Sequence, residues 1–310
     1  MQTTSHILMI RPVNFGFNAQ TAVNNAFQVA GADAAAQEKA QTEFDNFVSL
    51  LRTNGVDVKV INDTPEPHTP DSIFPNNWIS FHEPDTICLY PMFAENRRHE
   101  RKPPVIQQLQ KTFTITSTFD FTGYENDQQF LEGTGSMVLD RENKLAYACL
   151  SPRTHQSVLD DFCKKMGYRP ILFTAVDGAG KAIYHTNVMM CVADRYVVVC
   201  LASLPNHAEY QMVQEYIGKT GKELINISFE QMNHFAGNML QVQNQVGEKL
   251  LVMSSQAYGS LQPEQIKKLE SYNRILHAPL TTIETNGGGS ARCMMAEVFL
   301  KPTSSLSQQV

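Results

Sequence analysis

Five stretches of this chain place a polar residue immediately before an apolar strand. They are Asn77 in "PNNWISF", Ser136 in "GTGSMVLD", Asn187 in "HTNVMMCV", Asn238 in "AGNMLQV" and Cys293 in "ARCMMAEVF". They recur at intervals of roughly 50 to 60 residues. What lies between them also repeats. A strand pair comes first ("GSMVLDRENKLAYACL", "NVMMCVADRYVVVCL"), then an amphipathic helix ("HAEYQMVQEYIGKTG", "QPEQIKKLESYNRI"), then a further short strand ("RPILFTA", "ELINIS"). Five such ββαβ units imply a closed, propeller-like α/β array. The alternative is an open α/β sheet whose similar units are coincidental. In a closed array the five unit starts converge on one axis, so residues far apart in sequence share one site.

Composition narrows the class. With 310 residues, 42% hydrophobic and 18% charged, the chain fits a soluble globular protein. A net charge of −6 and a pI near 5.8 disfavour a nucleic-acid or anionic-membrane partner. No apolar run reaches the length of a membrane span. The start "MQTTSHILMIRP" lacks a basic region followed by a long apolar stretch, which leads us to expect a cytoplasmic location.

The residues at the unit starts carry chemistry. "PDSIFPNNW" brings Asp71, Asn76 and Asn77, "FLEGTGS" brings Glu132, "YHTNV" brings His185 and Asn187, and "TNGGGSARCMM" brings Cys293. The fourth start, "NHFAGNM", adds His234 and Asn238 as weaker candidates. A thiol, an imidazole and a carboxylate at one axis are a nucleophile, an acid/base and an orienting group. Each alone is more often structural than catalytic. Their shared phase in different repeats favours the catalytic role. Cys88, Cys149, Cys191 and Cys200 sit in strand-like runs and Cys163 on a probable helix, where a thiol acts as a small hydrophobe. Cys293 alone follows a run of three glycines. No Cys/His spacing suggests zinc.

In "LEG" (131–133), "YHTN" (184–187), "GGGSARCM" (287–294) and "DSIFPNN" (71–77) the chain resembles the guanidino-group-modifying, or pentein, superfamily. That group includes arginine deiminases, amidinotransferases and dimethylarginine dimethylaminohydrolases, and the resemblance extends to a bacterial branch proposed to act in citrulline use. It implies a five-bladed α/β propeller of pseudo-fivefold symmetry, spanning residues 1–302 as one catalytic domain, with 303–310 expected to form a disordered tail. It implies a hydrolase of C–N bonds other than peptide bonds, needing no metal or organic cofactor. Cys293 would be the nucleophile, His185 the proton shuttle and Glu132 the carboxylate contacting histidine or substrate. By the same resemblance Asp71 would bind the amino-acid end of the substrate, and Arg97 in "NRRHER" and Arg153 in "RTH" its α-carboxylate. Taken as sequence, Arg97 could equally belong to a solvated charge run. The partner implied is a small amino acid; a homodimer is left open.

Two positions depart from the superfamily's pattern. Guanidine-processing members usually place aspartate where Asn77 stands, and many do so at Asn187. A neutral amide both donates and accepts, which suits a ureido group. Citrulline, hydrolysed to ornithine, carbon dioxide and ammonia, is therefore the expected substrate. Arginine deimination, methylarginine hydrolysis and amidino transfer are the alternatives. An amino-acid-binding protein on the same fold is the non-enzymatic one.

Overall fold

The computed structural model describes residues 1–29 and 35–303 of the chain. Residues 304–310, most of the expected tail, lie outside the described residues, while the Thr303 N–H donates to Thr112 O (2.8 Å).

The strands form five three-stranded sheets of one design. In the first, β1 (His6–Arg11) runs parallel to β2 (Asp57–Asn62). The second holds β3 (Ile79–His82), β4 (Thr86–Leu89) and β5 (Ser117–Asp120), and the third β6 (Met137–Asp140), β7 (Leu145–Cys149) and β8 (Arg169–Phe173). The fourth holds β9 (Met190–Val192), β10 (Tyr196–Val199) and β11 (Glu223–Asn226), and the fifth β12 (Leu240–Gln243), β13 (Lys249–Ser254) and β14 (Arg274–Ala278). The last strand, β15 (Ala296–Glu297), returns to pair antiparallel with β1.

Each sheet thus joins an antiparallel pair to a parallel pair. The parallel pair needs a long crossover, and a helix supplies it. The helices are Ala36–Thr53, Pro103–Gln110, Gln156–Met166, His207–Lys219 and Pro263–Glu270. In the first of them Phe44, Phe47, Val48 and Leu51 are buried at helical spacing and form one core with Ile7, Met9 and Val58. The ββαβ units of the sequence are therefore present. One is split, because the strand after Cys293 is completed by β1 and β2 from the other end of the chain.

Two boundaries differ from expectation. The helix in "QPEQIKKLESYNRI" stops at Glu270, and Arg274–Ile275 open β14. Cys200 lies one residue beyond β10 and caps a short 3-10 turn.

Successive sheets pack through their first strands: β15 on β3, β6 on β9, β9 on β12. The turn Gly133–Ser136 packs on β3, and Gln243 N–H donates to Thr4 O (3.1 Å), joining the fifth sheet to the segment before β1. Gln2 pins the far ends of these strands. Its amide donates to Leu139 O (2.9 Å) and Val192 O (3.0 Å) and accepts from Arg141 N–H (2.8 Å). All are buried.

Gln2→Ala should therefore leave three backbone groups without a partner while touching no candidate site residue. The expected loss is about 1–3 kcal/mol, read as a lower urea midpoint at unchanged m-value. An unchanged midpoint would show that water replaces the amide at no cost.

Candidate active site

The unit starts come together as short turns. Asn77 ends the 3-10 turn Pro75–Asn77, Ser136 the turn Gly133–Ser136, and Asn187 lies in Thr186–Val188. Asn238 and Cys293 close turns before β12 and β15. Two of their side chains reach the Cys293 sulfur. Asn187 Nδ2 lies 3.5 Å and Asn238 Nδ2 3.3 Å from Sγ. Asn238 is itself fixed, donating to Asn187 O (3.0 Å) and accepting from Arg292 N–H (3.1 Å). Asn238 Oδ1 in turn lies 3.7 Å from Sγ, placed to accept from the thiol.

The three glycines before Cys293 answer to a neighbour. A Cβ on Gly287 or Gly289 would lie 2.8 Å from the ring of Phe74, which belongs to the "DSIFPNN" stretch. The first and last units can approach this closely only without side chains there. Gly135 is under the same constraint, since its Cβ would lie 2.4 Å from Asn77 Nδ2 and 2.8 Å from His185 Nδ1.

Glu132 is wholly buried and joins several units. It accepts from Phe93 N–H (3.0 Å), bonds His185 Nε2 (2.7 Å), and lies 3.4 Å from Arg153 Nη1 and 4.0 Å from Arg97 Nη1. Burial alone would raise its pKa. Arg153, the His185 hydrogen bond and Arg97 outweigh burial and hold it well below the usual carboxylate range. At His185 burial wins over Glu132 and brings the pKa down to about 4. An ionised carboxylate only accepts, so Nε2 of the neutral imidazole carries the proton and Nδ1 is left as a base.

Both expected carboxylate anchors are buried. Arg97 donates to Glu100 Oε1 (2.8 Å) and Oε2 (3.0 Å) and to Asn77 Oδ1 (2.7 Å), so the charge run "NRRHER" is no solvated loop at this position. Arg153 donates from Nε to Asn24 Oδ1 (2.8 Å) and from Nη2 to Thr21 O (2.8 Å). Asp71 Oδ2 accepts from Asn18 Nδ2 (2.8 Å) and Thr21 Oγ1 (3.1 Å). Three buried polar atoms of the pocket residue Asp71 and of residues bonded to its lining have no partner: Asp71 Oδ1, Asn187 Oδ1 and Asn24 Nδ2. Two acceptors and a donor left open are what an ammonium, an N–H group and a carboxylate would take.

The eight residues given a role by the resemblance are all buried; six line the Cys293 pocket, and Asn187 reaches the sulfur. The eighth, Glu132, holds His185 from behind. His234 does not join them; it is exposed and its ring bonds Glu230 O (2.8 Å). The sequence reasoning missed the segment Asn18–Gln28, whose Asn25 and Gln28 side chains donate to Gly288 O and Asn286 O. Its unusual run of amides, "NAQTAVNNAFQ", was the available signal. It also missed Tyr184, whose hydroxyl donates to Gly288 O (2.8 Å) and whose ring lies under Arg153. The remaining thiols are unsuited to attack. Burial pushes Cys88, Cys163 and Cys191 up to about 12 and Cys149 to about 11, and raises Cys200 too. Among the described residues no cluster of His, Cys, Asp or Glu could hold a metal ion, and no helix is long and apolar enough to cross a membrane.

The lowered pKa of His185 sets a pH window. Between about 4 and the ordinary 6.5 the unfolded chain binds the extra proton, so this group's contribution to stability is complete above 6.5 and is lost as pH falls through 4. If neutral His185 is the working form, kcat/KM should hold through mild acid and fall about tenfold per pH unit below that value. An acid limb centred near 6.5 would show that His185 titrates as an ordinary histidine.

Comparison with known proteins agrees with this architecture. The family model for N,N dimethylarginine dimethylhydrolase, eukaryotic, matches residues 11–300. No curated protein sequence matches. The fold is similar to that of apo ArgZ, an arginine dihydrolase from the ornithine–ammonia cycle in cyanobacteria, at a TM-score of 0.74 and 17% identity, covering 96% of this chain and 41% of that one. It is similar to an AgrE mutant in its complex with L-arginine (TM-score 0.75, 17% identity, 97% of this chain and 41% of that one). A dimethylarginine dimethylaminohydrolase adduct with 4-chloro-2-hydroxymethylpyridine follows, at 0.64 and 15%, covering 95% and 99%. The chain spans about two-fifths of the length of ArgZ and AgrE. On the family match, this chain belongs to the N,N dimethylarginine dimethylhydrolase family, within the DDAH-like branch of the pentein superfamily.

Proposed function

We propose that this chain is a hydrolase of C–N bonds other than peptide bonds, acting on citrulline through a covalent intermediate on Cys293. The five sheets are here taken as the blades of one closed α/β propeller, with residues 1–302 as its catalytic domain and the unit starts gathered on its axis. The observation that carries the substrate is a pair of neutral amides, Asn77 in the Cys293 pocket and Asn187 at the sulfur. Asn187 donates toward the sulfur and keeps an acceptor oxygen open, while Asn77 spends its oxygen on the Arg97 cation. A guanidinium at Asn77 would face that cation, whereas a ureido group would not be repelled.

The chemistry follows from the geometry. His185 Nδ1 takes the Cys293 thiol proton as the sulfur adds to the ureido carbon, then passes it to the departing nitrogen, so that ammonia leaves and a thiocarbamate remains. Water then adds to that carbon with His185 as base, the C–S bond breaks, and the released carbamate decomposes to carbon dioxide and ornithine. Glu132 holds the imidazole in place and stabilises its charged form. Asp71 Oδ1 would take the α-ammonium, and Arg97 and Arg153 the α-carboxylate. With Asn24 occupying Arg153, the pocket retains about 10 Å³, room for one water, so the segment Asn18–Gln28 must move aside for substrate.

A second proposal is that arginine enters the same site and is carried through citrulline to ornithine. Three buried carboxyl groups (Asp71, Glu100, Glu132) face two guanidinium groups; burial raises Asp71 and pushes Glu100 up to about 7, and a cationic substrate would draw both to the ionised form. The fold's likeness to the arginine dihydrolase ArgZ supports it as well.

Incubation with citrulline or arginine, followed by ammonia, citrulline and ornithine, separates these proposals. Ornithine from citrulline supports the first, ornithine from both supports the second, and release of neither ornithine nor citrulline refutes both. Cys293→Ser should abolish turnover while leaving the fold intact, because an unactivated hydroxyl is a far weaker nucleophile; retained activity would remove the covalent route.

Asn187→Asp should lower kcat/KM for citrulline relative to arginine by roughly 1–3 kcal/mol, since a carboxylate repels the ureido oxygen and attracts a guanidinium. A flat ratio would show that Asn187 only ties down its turn.

A further inference from the structure

A second cavity, of about 340 Å³, lies beside the substrate pocket and shares no lining residue with it. That volume is at the small end of the range for pockets that hold organic ligands. Ile10, Ile61, Trp78 and Val105, with three prolines, make its walls apolar. Its buried charges are already matched. Glu100 is held by two hydrogen bonds from Arg97 (2.8 and 3.0 Å), and Asp63 by Lys102. The group left over is the Ser72 hydroxyl, which is 3% exposed, lines the cavity and has no hydrogen-bond partner. A buried hydroxyl without a partner is uncommon in folded proteins and marks a place where one is missing.

We propose that this cavity binds a neutral, mainly apolar small molecule bearing one hydroxyl group, and that its occupancy shifts substrate affinity. A charged ligand would lose its hydration against these apolar walls with no unpaired buried counter-charge to replace it, whereas a hydroxyl would satisfy Ser72 and leave both ion pairs intact. The route to the active site is short. Ser72 follows Asp71, Trp78 follows Asn77, and Glu100 is the ion-pair partner of Arg97. Displacement of this wall reaches three residues placed on the substrate by the function proposed above, on which the affinity effect rests. Binding itself does not depend on that function.

Trp78 is the sole tryptophan of the chain, so its emission reports the cavity directly. Titration of the full chain with benzyl alcohol and with cyclohexanol should give a saturable change in that emission. Ser72→Ala should weaken binding about fivefold, the loss of one hydrogen bond. Val105→Phe should abolish it by filling the space, with unchanged circular dichroism. Benzylamine and benzoate should bind more weakly than benzyl alcohol. A response that never saturates, or equal dissociation constants for wild type and Ser72→Ala, would overturn the site; equal binding of the charged probes would overturn the ligand class. Saturating benzyl alcohol should also change the KM of the substrate found in the activity assay, and a KM unchanged in its presence would overturn the coupling.

Discussion

One buried carboxylate organises this molecule around its candidate site. Glu132 has no contact with solvent, and an ion in such a place must be paired and hydrogen-bonded or it destabilises the fold by several kcal/mol. Its partners come from separate parts of the chain: the Phe93 backbone, His185 and Arg153, with Arg97 at the edge of reach. Satisfying Glu132 therefore fixes the mutual position of the second, third and fourth units. Arg153 extends the same network to Thr21 and Asn24, so the N-terminal segment is drawn over the pocket by a charge it does not touch.

The network also divides labour between two nitrogens of one ring. Because Glu132 stays ionised and His185 neutral, the proton of the imidazole is held on the Glu132 side and the other nitrogen is kept basic. The same burial that lowers His185 raises the five thiols at Cys88, Cys149, Cys163, Cys191 and Cys200, while Cys293 has two side-chain amides at its sulfur. Burial is thus the common cause. Whether it activates or silences a group depends on the hydrogen bonds that accompany it.

Much of the site was legible from phase in the repeat. Asn77, Asn187 and Cys293 could be paired across more than 100 residues because each stands immediately before the strand of its unit, and strands of one design put equivalent residues at equivalent places. His234 failed because it lies four residues before its unit start, on a helix end facing solvent. Asn238, at the unit start itself, is the residue that reaches the sulfur. The segment Asn18–Gln28 lies outside the repeats, so phase had nothing to say about it, and its amides became meaningful only when Arg153 and Gly288 stood opposite them.

The sequence by itself determined the five units, the strand–helix–strand order within them, and the chemical identities at their starts, because these follow from local periodicity and residue type. It also determined that Asn77 and Asn187 are uncharged. The tertiary structure decided the remainder. Whether Arg97 met water or three buried partners depended on which turn folded against it, and charge runs look alike in both settings. That Asn77 faces Arg97 with its oxygen, that Phe74 needs glycines across from it, and that a second cavity opens behind Glu100 are likewise products of close approach between distant segments. Such contacts depend on ångström distances, which residue order does not contain.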